Sequence, residues 1–204
     1  MNNVNIPLKP FYFIRHGQTD WNKERKAMGQ TDIPLNQTGL EQAAFAAESL
    51  RTIEFDIIVS SPLSRALQTA EIIAEKKNKP ILIFDEFKEG SWGVFEGKNT
   101  GCEIFLQHWM SGNEIEGAEH RADFLNRVRQ GLVKALSGPE IVLIVSHGGV
   151  YGAIQETLGL PLCDLENCTP MLCNPMGQSV DGWDVQVLQA SYNHANIITS
   201  NKMP

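Results

Sequence analysis

The sequence predicts an α/β fold with a largely parallel sheet. Short runs of β-branched and aromatic residues alternate along the chain with segments of helical periodicity, and this alternation is typical of βαβ units. The chain has 204 residues, of which 42% are hydrophobic and 20% charged, so one domain can bury a full core. No repeat, low-complexity linker or block of charge marks a boundary, and we therefore expect a single domain over residues 1–204.

The strands are predicted from short apolar runs that are bounded by turn residues. They cover residues 11–14, 57–59, 81–83 and 141–145, then 183–188 as an edge strand and 195–200 as one more. The helices are predicted from apolar residues at helical spacing, and they cover residues 36–50, 61–76, 119–136 and a last segment that ends at Leu158.

Capping residues support these helix ends. Asn36 and Ser61 suit the N-cap position, Pro62 suits a first turn, and Gly159 suits a C-cap. Residues 161–182 show no regular period, and we expect an irregular segment there.

Charge and cysteine content exclude several classes of protein. Lys and Arg number 17 and Asp and Glu 24, which gives a net charge of −7 with histidine neutral and disfavours nucleic-acid or anionic-membrane partners. No apolar run reaches the roughly 18 residues of a membrane span, and the first ten residues lack a signal-peptide pattern. Four cysteines make neither a disulfide framework nor a standard zinc spacing, so we expect inert thiols and a cytoplasmic protein.

Cationic and titratable side chains follow three of the predicted strands. Arg15 and His16 follow the first strand, Arg65 comes after the second, and His147 follows the strand at 141–145. Open α/β sheets bind ligands at the carboxyl ends of their strands, where arginine suits phosphate and histidine suits nucleophilic or proton-transfer chemistry. A lone strand-end histidine is more often structural than catalytic, but four such groups at three strand ends favour an anion site.

These residues lie in sequence blocks that occur in a fixed order. The blocks are FYFIRHGQTDWN at 11–22, SSPLSRALQTA at 60–70, EGSWGVFEG at 89–97 and VSHGG at 145–149, with a further matching segment at 29–43. One block alone is weakly specific, but the ordered set, spanning residues 11–158, resembles the histidine phosphatase superfamily, the phosphoglycerate mutase-like proteins. The resemblance implies a three-layer α/β/α fold with a mostly parallel central sheet and a small helical lid, at residues 100–118.

The resemblance also implies a covalent mechanism. His16 would attack phosphorus and form a phosphohistidine, and the neighbouring arginines favour the neutral imidazole that such an attack needs. The residues expected to bind the phosphoryl oxygens are Arg15, Asn22, Arg65, His147 and Gly148. His147 is expected to be cationic once an anion is bound.

A carboxylic acid must protonate the leaving oxygen. Glu89 is the expected acid from its place in the family-like loop, Glu86 and Glu96 are its rivals, and Glu96 is expected to organise the loop. We expect no metal and no cofactor, because the cationic side chains supply the charge that magnesium would bring.

The spacing from acid to second histidine separates two activities. In family terms the mutases carry a long insertion there, whereas 147 − 89 leaves 58 positions here, which resembles the phosphatase branch. We therefore expect a metal-independent histidine acid-type phosphatase that cleaves phosphate monoesters of small metabolites. The alternatives are a cofactor-dependent phosphoglycerate mutase and a non-catalytic relative that binds a phosphorylated ligand.

The lid is expected to set the substrate class with Phe105, His108, Trp109 and Met110. The expected partner is a small phosphorylated substrate, with no nucleic acid and no membrane, and a homodimer stays an open alternative to a monomer.

Some positions depart from the family pattern. Gly90 and Phe95 stand where the family has an apolar residue and a tryptophan, and Trp92 is a candidate for the missing aromatic bulk. Residues 118–120 replace a Gly-Glu-Ser sequence, and His120 is expected to cap the following helix rather than reach the pocket.

Overall fold

The computed structural model describes residues 5–99, 107–161, 165–176 and 182–188. Within these ranges six strands form one sheet in the order β3-β2-β4-β1-β5-β6. The strands are β1 (Phe11–Arg15), β2 (Ile57–Ser60), β3 (Ile81–Ile83), β4 (Val142–Ser146), β5 (Pro170–Pro175) and β6 (Trp183–Val187). The first four are parallel to one another, and β5 and β6 add an antiparallel extension. The predicted, mostly parallel sheet is confirmed.

Helices cover both faces of the sheet. They are α1 (Asp20–Lys23), α2 (Gln37–Ser49), α3 (Ser64–Lys77), α4 (Arg121–Leu136) and α5 (Gly148–Leu158). Because side chains alternate along a strand, Phe13 packs with α4 and α5 while its neighbour Ile14 packs with α2 and α3. The expected three-layer α/β/α architecture is therefore confirmed. None of the helices in the described ranges combines the length and the apolar character that a membrane crossing needs.

Two predicted helix caps are present. The Asn36 side chain accepts a hydrogen bond from the Gly39 N–H at 2.9 Å and begins α2. Gly159 ends α5 in the left-handed region, with φ at 66°, where its N–H donates to the Gln155 carbonyl. These local signals are strong enough to set the helix boundaries from the sequence alone.

The predicted N-cap at Ser61 is wrong. Helix α3 begins three residues later, at Ser64, whose N–H and hydroxyl both donate to the Asp32 carboxylate at 2.8 and 2.6 Å. The Ser61 hydroxyl instead lies against His147, so tertiary partners override the local capping pattern.

The predicted irregular segment at 161–182 is wrong in its centre. Strand β5 lies there and pairs antiparallel to β1, with Phe11 opposite Cys173. Its two prolines stand at its first and last positions, where a strand tolerates them, and it has no β-branched residue. Hydrogen bonding to β1 and β6 makes this segment a strand, and no local sequence pattern predicts it.

Part of the lid and the predicted last strand lie outside the described residues. These are residues 100–106, with Phe105, and residues 195–200. In the rest of the lid, residues 107–110 form a helical turn and Trp109 is buried. Cys168 and Cys173 are buried, and burial raises the pKa of the Cys168 thiol. That the cysteines are inert stays a prediction.

Candidate active site

The carboxyl ends of three neighbouring strands converge on one pocket of about 690 Å³. Strands β2, β4 and β1 are adjacent in the sheet, so the segments that follow them lie side by side. Of the seven predicted site residues, six line this pocket: Arg15, His16, Asn22, Arg65, Glu89 and Gly148. The seventh, His147, is fully buried, and its ring centroid lies 5.2 Å from that of His16. The structure thus brings all the predicted residues together.

His16 is held as a neutral imidazole with a defined tautomer. Its side chain is almost completely buried, and Nδ1 lies 2.7 Å from the Gly17 carbonyl, which can only accept. Nδ1 therefore carries the proton, and Nε2 keeps the lone pair. Burial, followed by the charges of Arg65 and Arg15, holds the pKa of His16 well below its usual range. A neutral imidazole with a free lone pair is a nucleophile.

His147 lies beside His16, and one of its ring nitrogens has a hydrogen-bond partner. Its Nε2 is 2.8 Å from the Ser61 hydroxyl, whereas no described residue offers a hydrogen-bond partner to its buried Nδ1. Burial, and then the charge of Arg65, lowers the pKa of His147 well below its ordinary value. Without a ligand the ring is thus neutral, and a bound anion would favour its protonated form. Sequence reasoning missed Ser61 here because it was interpreted as a helix cap.

The two arginines are fixed by backbone carbonyls. Arg65, fully buried in the first turn of α3, donates from Nη2 to Gly29 at 2.8 Å and from Nη1 to Thr31 at 3.1 Å. Arg15 donates from Nη1 to Leu165 at 2.9 Å. Burial lowers the pKa of Arg65 to about 10, which leaves it charged at neutral pH. Two cations are therefore positioned before any ligand arrives.

Glu89 is a buried carboxyl between two backbone N–H groups. Gly90 donates to Oε1 and Gly149 donates to Oε2, each at 3.0 Å. Burial raises the pKa of Glu89 above that of an ordinary carboxyl, against the opposing effect of these hydrogen bonds and of Arg65. A Cβ at position 149 would clash with this carboxylate, so the glycine at this position leaves space for the Glu89 side chain. Glu89 can hold and release a proton inside the pocket.

The two rival carboxylates do not line the pocket. Glu86 is paired with Lys134 at 3.0 Å on α4. Glu96 accepts backbone N–H groups from Gln30 and Thr31 at 3.1 and 3.0 Å and from Trp92 at 3.0 Å. Glu96 thereby organises the loop at 29–31 that supplies carbonyls to Arg65, as expected.

The remaining two predicted residues lie at helix starts. Asn22 uses Oδ1 to accept from the Thr19 N–H at 3.1 Å in the capping box of α1, which leaves its amide nitrogen to donate. Gly148 is the first residue of α5, where an N–H favours an anion. Among the described residues, no three His, Cys, Asp or Glu side chains come together as metal ligands.

An aromatic wall forms the other side of the pocket. Trp92, Trp109 and Phe124 contact one another, with ring centroids 5.3 to 6.4 Å apart. Trp92, the candidate for the missing aromatic bulk of the loop, lies in this wall. His120 does not line the pocket, and its Nδ1 accepts from the Ala122 N–H at 3.3 Å as the N-cap of α4, so the capping interpretation is confirmed.

Fold and site together are those of a histidine phosphatase. The family model of the histidine phosphatase superfamily (branch 1) matches residues 11–185, and the chain belongs to this superfamily. The resemblance drawn from the sequence blocks is therefore confirmed.

Relatives within this superfamily carry phosphatase and mutase names. The chain is 41% identical over 143 residues to "Uncharacterized phosphatase PhoE" of Bacillus subtilis (strain 168), covering 69% of this chain and 72% of that protein. It is 35% identical over 161 residues to "Probable phosphoglycerate mutase GpmB" of Proteus mirabilis (strain HI4320), covering 74% and 75%. The native structure of a mycobacterial glucosyl-3-phosphoglycerate phosphatase matches with a TM-score of 0.74 and 26% identity, over 90% of this chain and 99% of that one. The family and the phosphatase names support a phosphohydrolase that acts through histidine.

Proposed function

We propose that the protein is a metal-independent phosphatase that hydrolyses phosphate monoesters of small metabolites through a phosphohistidine on His16. One observation carries this proposal: a neutral His16 and a buried, protonatable Glu89 share one pocket with Arg15 and Arg65. A nucleophile, an acid and fixed cations are the groups that phosphoryl transfer to histidine requires. A pure binding protein would not need the buried acid.

In the first step the Nε2 lone pair of His16 attacks phosphorus in line. The P–N bond forms as the ester P–O bond breaks, and Glu89 gives its proton to the departing oxygen, so the product leaves as an alcohol. Arg15 and Arg65 neutralise the phosphoryl oxygens. Protonated His147 is expected to donate to one of them through Nδ1, which has no partner among the described residues.

In the second step water attacks the phosphohistidine. The Glu89 carboxylate takes a proton from that water as its oxygen bonds to phosphorus and the P–N bond breaks. Inorganic phosphate leaves, His16 returns to the neutral form, and Glu89 is again protonated, which closes the cycle.

Hydrolysis of p-nitrophenyl phosphate is expected to be unchanged after incubation with EDTA. The reason is that Arg15 and Arg65 already provide the positive charge that a magnesium ion would bring to the phosphoryl group. The measurement is initial rate before and after chelation, with and without added Mg²⁺ or Zn²⁺. A loss on chelation that added metal restores would contradict the metal-independent scheme.

The shape of the pocket favours a small ester with an apolar part. Its volume of about 690 Å³ leaves room for an organic group beyond the phosphate, and Trp92, Trp109 and Phe124 present apolar surface to that group. The net charge of −7 disfavours large polyanions as substrates. A panel of phosphorylated metabolites, with phosphate release as the readout, ranks the candidates. The cytoplasmic location and the homodimer stay predictions from the sequence.

Phosphate, and not 2-phosphoglycerate, is expected as the product from 3-phosphoglycerate. The mutase alternative has support in the relative named GpmB, but a mutase must shield its phosphohistidine from water. The assay is incubation with 3-phosphoglycerate and a trace of 2,3-bisphosphoglycerate, followed by separate measurement of the two products. Faster formation of 2-phosphoglycerate than of phosphate would identify a mutase.

A further inference from the structure

The turn at residues 86–89 carries Glu89 and is held by the side chain of Arg127 on α4. We propose that Arg127 positions the general acid. The inference rests on the proposed function, in which Glu89 is that acid. Arg127 is not among the residues that line the pocket, so it acts on the reaction through Glu89. No sequence block drew attention to Arg127.

All five N–H groups of Arg127 are engaged. Nη1 donates to the carbonyls of Glu86 and Lys88 at 3.0 and 2.7 Å, and Nη2 donates to the carbonyl of Glu89 at 2.9 Å. The second Nη2 proton and Nε bind the two carboxylate oxygens of Glu119, each at 2.7 Å. A guanidinium has five donors in a rigid fork, and three of them here fix the backbone that leads to the acid.

Two further contacts complete the support of this turn. The Ser146 hydroxyl at the end of β4 donates to the carbonyl of Phe87 at 2.8 Å, and Gln30 Nε2 donates to that of Glu89 at 3.0 Å. Helix α4 packs directly on the turn, because a Cβ at Gly131 would lie 2.9 Å from the Phe87 ring. The four consecutive carbonyls from 86 to 89 are therefore all held.

Only an arginine can make this set of contacts. Lysine has three donors on a single nitrogen and cannot bind a carboxylate with two parallel bonds while reaching three carbonyls. The guanidinium also stacks on Phe124, 4.8 Å from the ring centroid, and Glu119 balances its charge. Loss of the Arg127 hydrogen bonds would free the backbone that places the Glu89 carboxyl between the Gly90 and Gly149 N–H groups.

A misplaced general acid slows the reaction of poor leaving groups selectively, whereas general destabilisation of the fold lowers activity on all substrates equally. A displacement of about 1 Å can slow a reaction about 10²-fold, but only where the displaced group matters to the barrier. A p-nitrophenolate leaves readily without a proton, whereas a benzyl alkoxide needs one. The role of Arg127 therefore predicts selective loss of activity on benzyl phosphate.

The test measures kcat/KM for benzyl phosphate and p-nitrophenyl phosphate on the same preparations of the full chain. The variants are Arg127→Lys and Glu119→Gln, with Glu89→Gln as the reference for a lost acid. Lys134→Met is the matched control, because it removes a cation of α4 that contacts the side chains of Glu86 and Phe84. The ratio of the two kcat/KM values does not depend on the folded fraction, so partial unfolding does not obscure it.

We expect Arg127→Lys to lower the benzyl to p-nitrophenyl ratio on the order of tenfold, in the direction of Glu89→Gln, with Glu119→Gln in the same direction. Lys134→Met should leave the ratio unchanged. An equal loss on both substrates in Arg127→Lys and Glu119→Gln would overturn the positioning role while leaving Glu89 as the acid. If Glu89→Gln itself showed no selectivity, the acid assignment would be wrong and the role of Arg127 would fall with it.

Discussion

Replacement of His16 by alanine is expected to abolish turnover, with a loss of at least about 10³-fold in kcat for p-nitrophenyl phosphate. We expect no substitute nucleophile, because His147 is not among the residues that line the pocket and its Nε2 lies 2.8 Å from the Ser61 hydroxyl. The wild-type protein, quenched during turnover, should carry phosphate that is labile in acid and stable in alkali. His16→Ala should carry none.

The matched control is His120→Ala. That histidine caps α4 and does not line the pocket, so its loss should reduce stability slightly and leave turnover in place. Retention of turnover together with protein-bound phosphate in His16→Ala would remove the nucleophile assignment.

The pKa of His16 explains why its reactivity should extend to acidic pH. Burial and two guanidinium groups disfavour the imidazolium, so the neutral form persists below the pH at which an ordinary histidine becomes protonated. The acidic limb of kcat/KM should therefore lie at lower pH than a free imidazole would give.

The parts of the site that come from continuous sequence were predictable. Arg15 is the last residue of a buried strand, and His16 and His147 directly follow buried strands. A parallel sheet brings the carboxyl ends of neighbouring strands together whatever the conformation of the loops. Arg65 was predictable for a different reason, since a cation in the first turn of a helix opposes the helix dipole and indicates another role.

The parts that depend on contacts between distant segments were not predictable. Strand β5 forms because β1 and β6 pair with it. The Ser61 hydroxyl contacts His147, 86 positions later in the sequence, and does not cap the helix. Arg127 is a partial exception, because its helical spacing places it beside the apolar face of α4, between Phe124 and Gly131, where a cation suggests a nearby partner.

Replacement of Glu89 by glutamine is expected to lower kcat/KM for benzyl phosphate about 10²-fold or more, and to lower that for p-nitrophenyl phosphate much less. The first step needs the protonated carboxyl. Because burial raises the pKa of Glu89, the protonated form persists to higher pH than in an exposed glutamate, and activity on poor leaving groups falls as pH rises through that pKa. Since glutamine does not titrate, this alkaline limb should disappear in the variant.

The control for that prediction is Glu86→Gln, three residues earlier on the same turn. Its side chain is paired with Lys134 and does not line the pocket, so the substitution should change neither the rate nor the pH profile. The comparison separates loss of the acid from loss of a negative charge in this turn. A large selective loss in Glu86→Gln, with Glu89→Gln nearly active, would move the proton donor from position 89 to position 86.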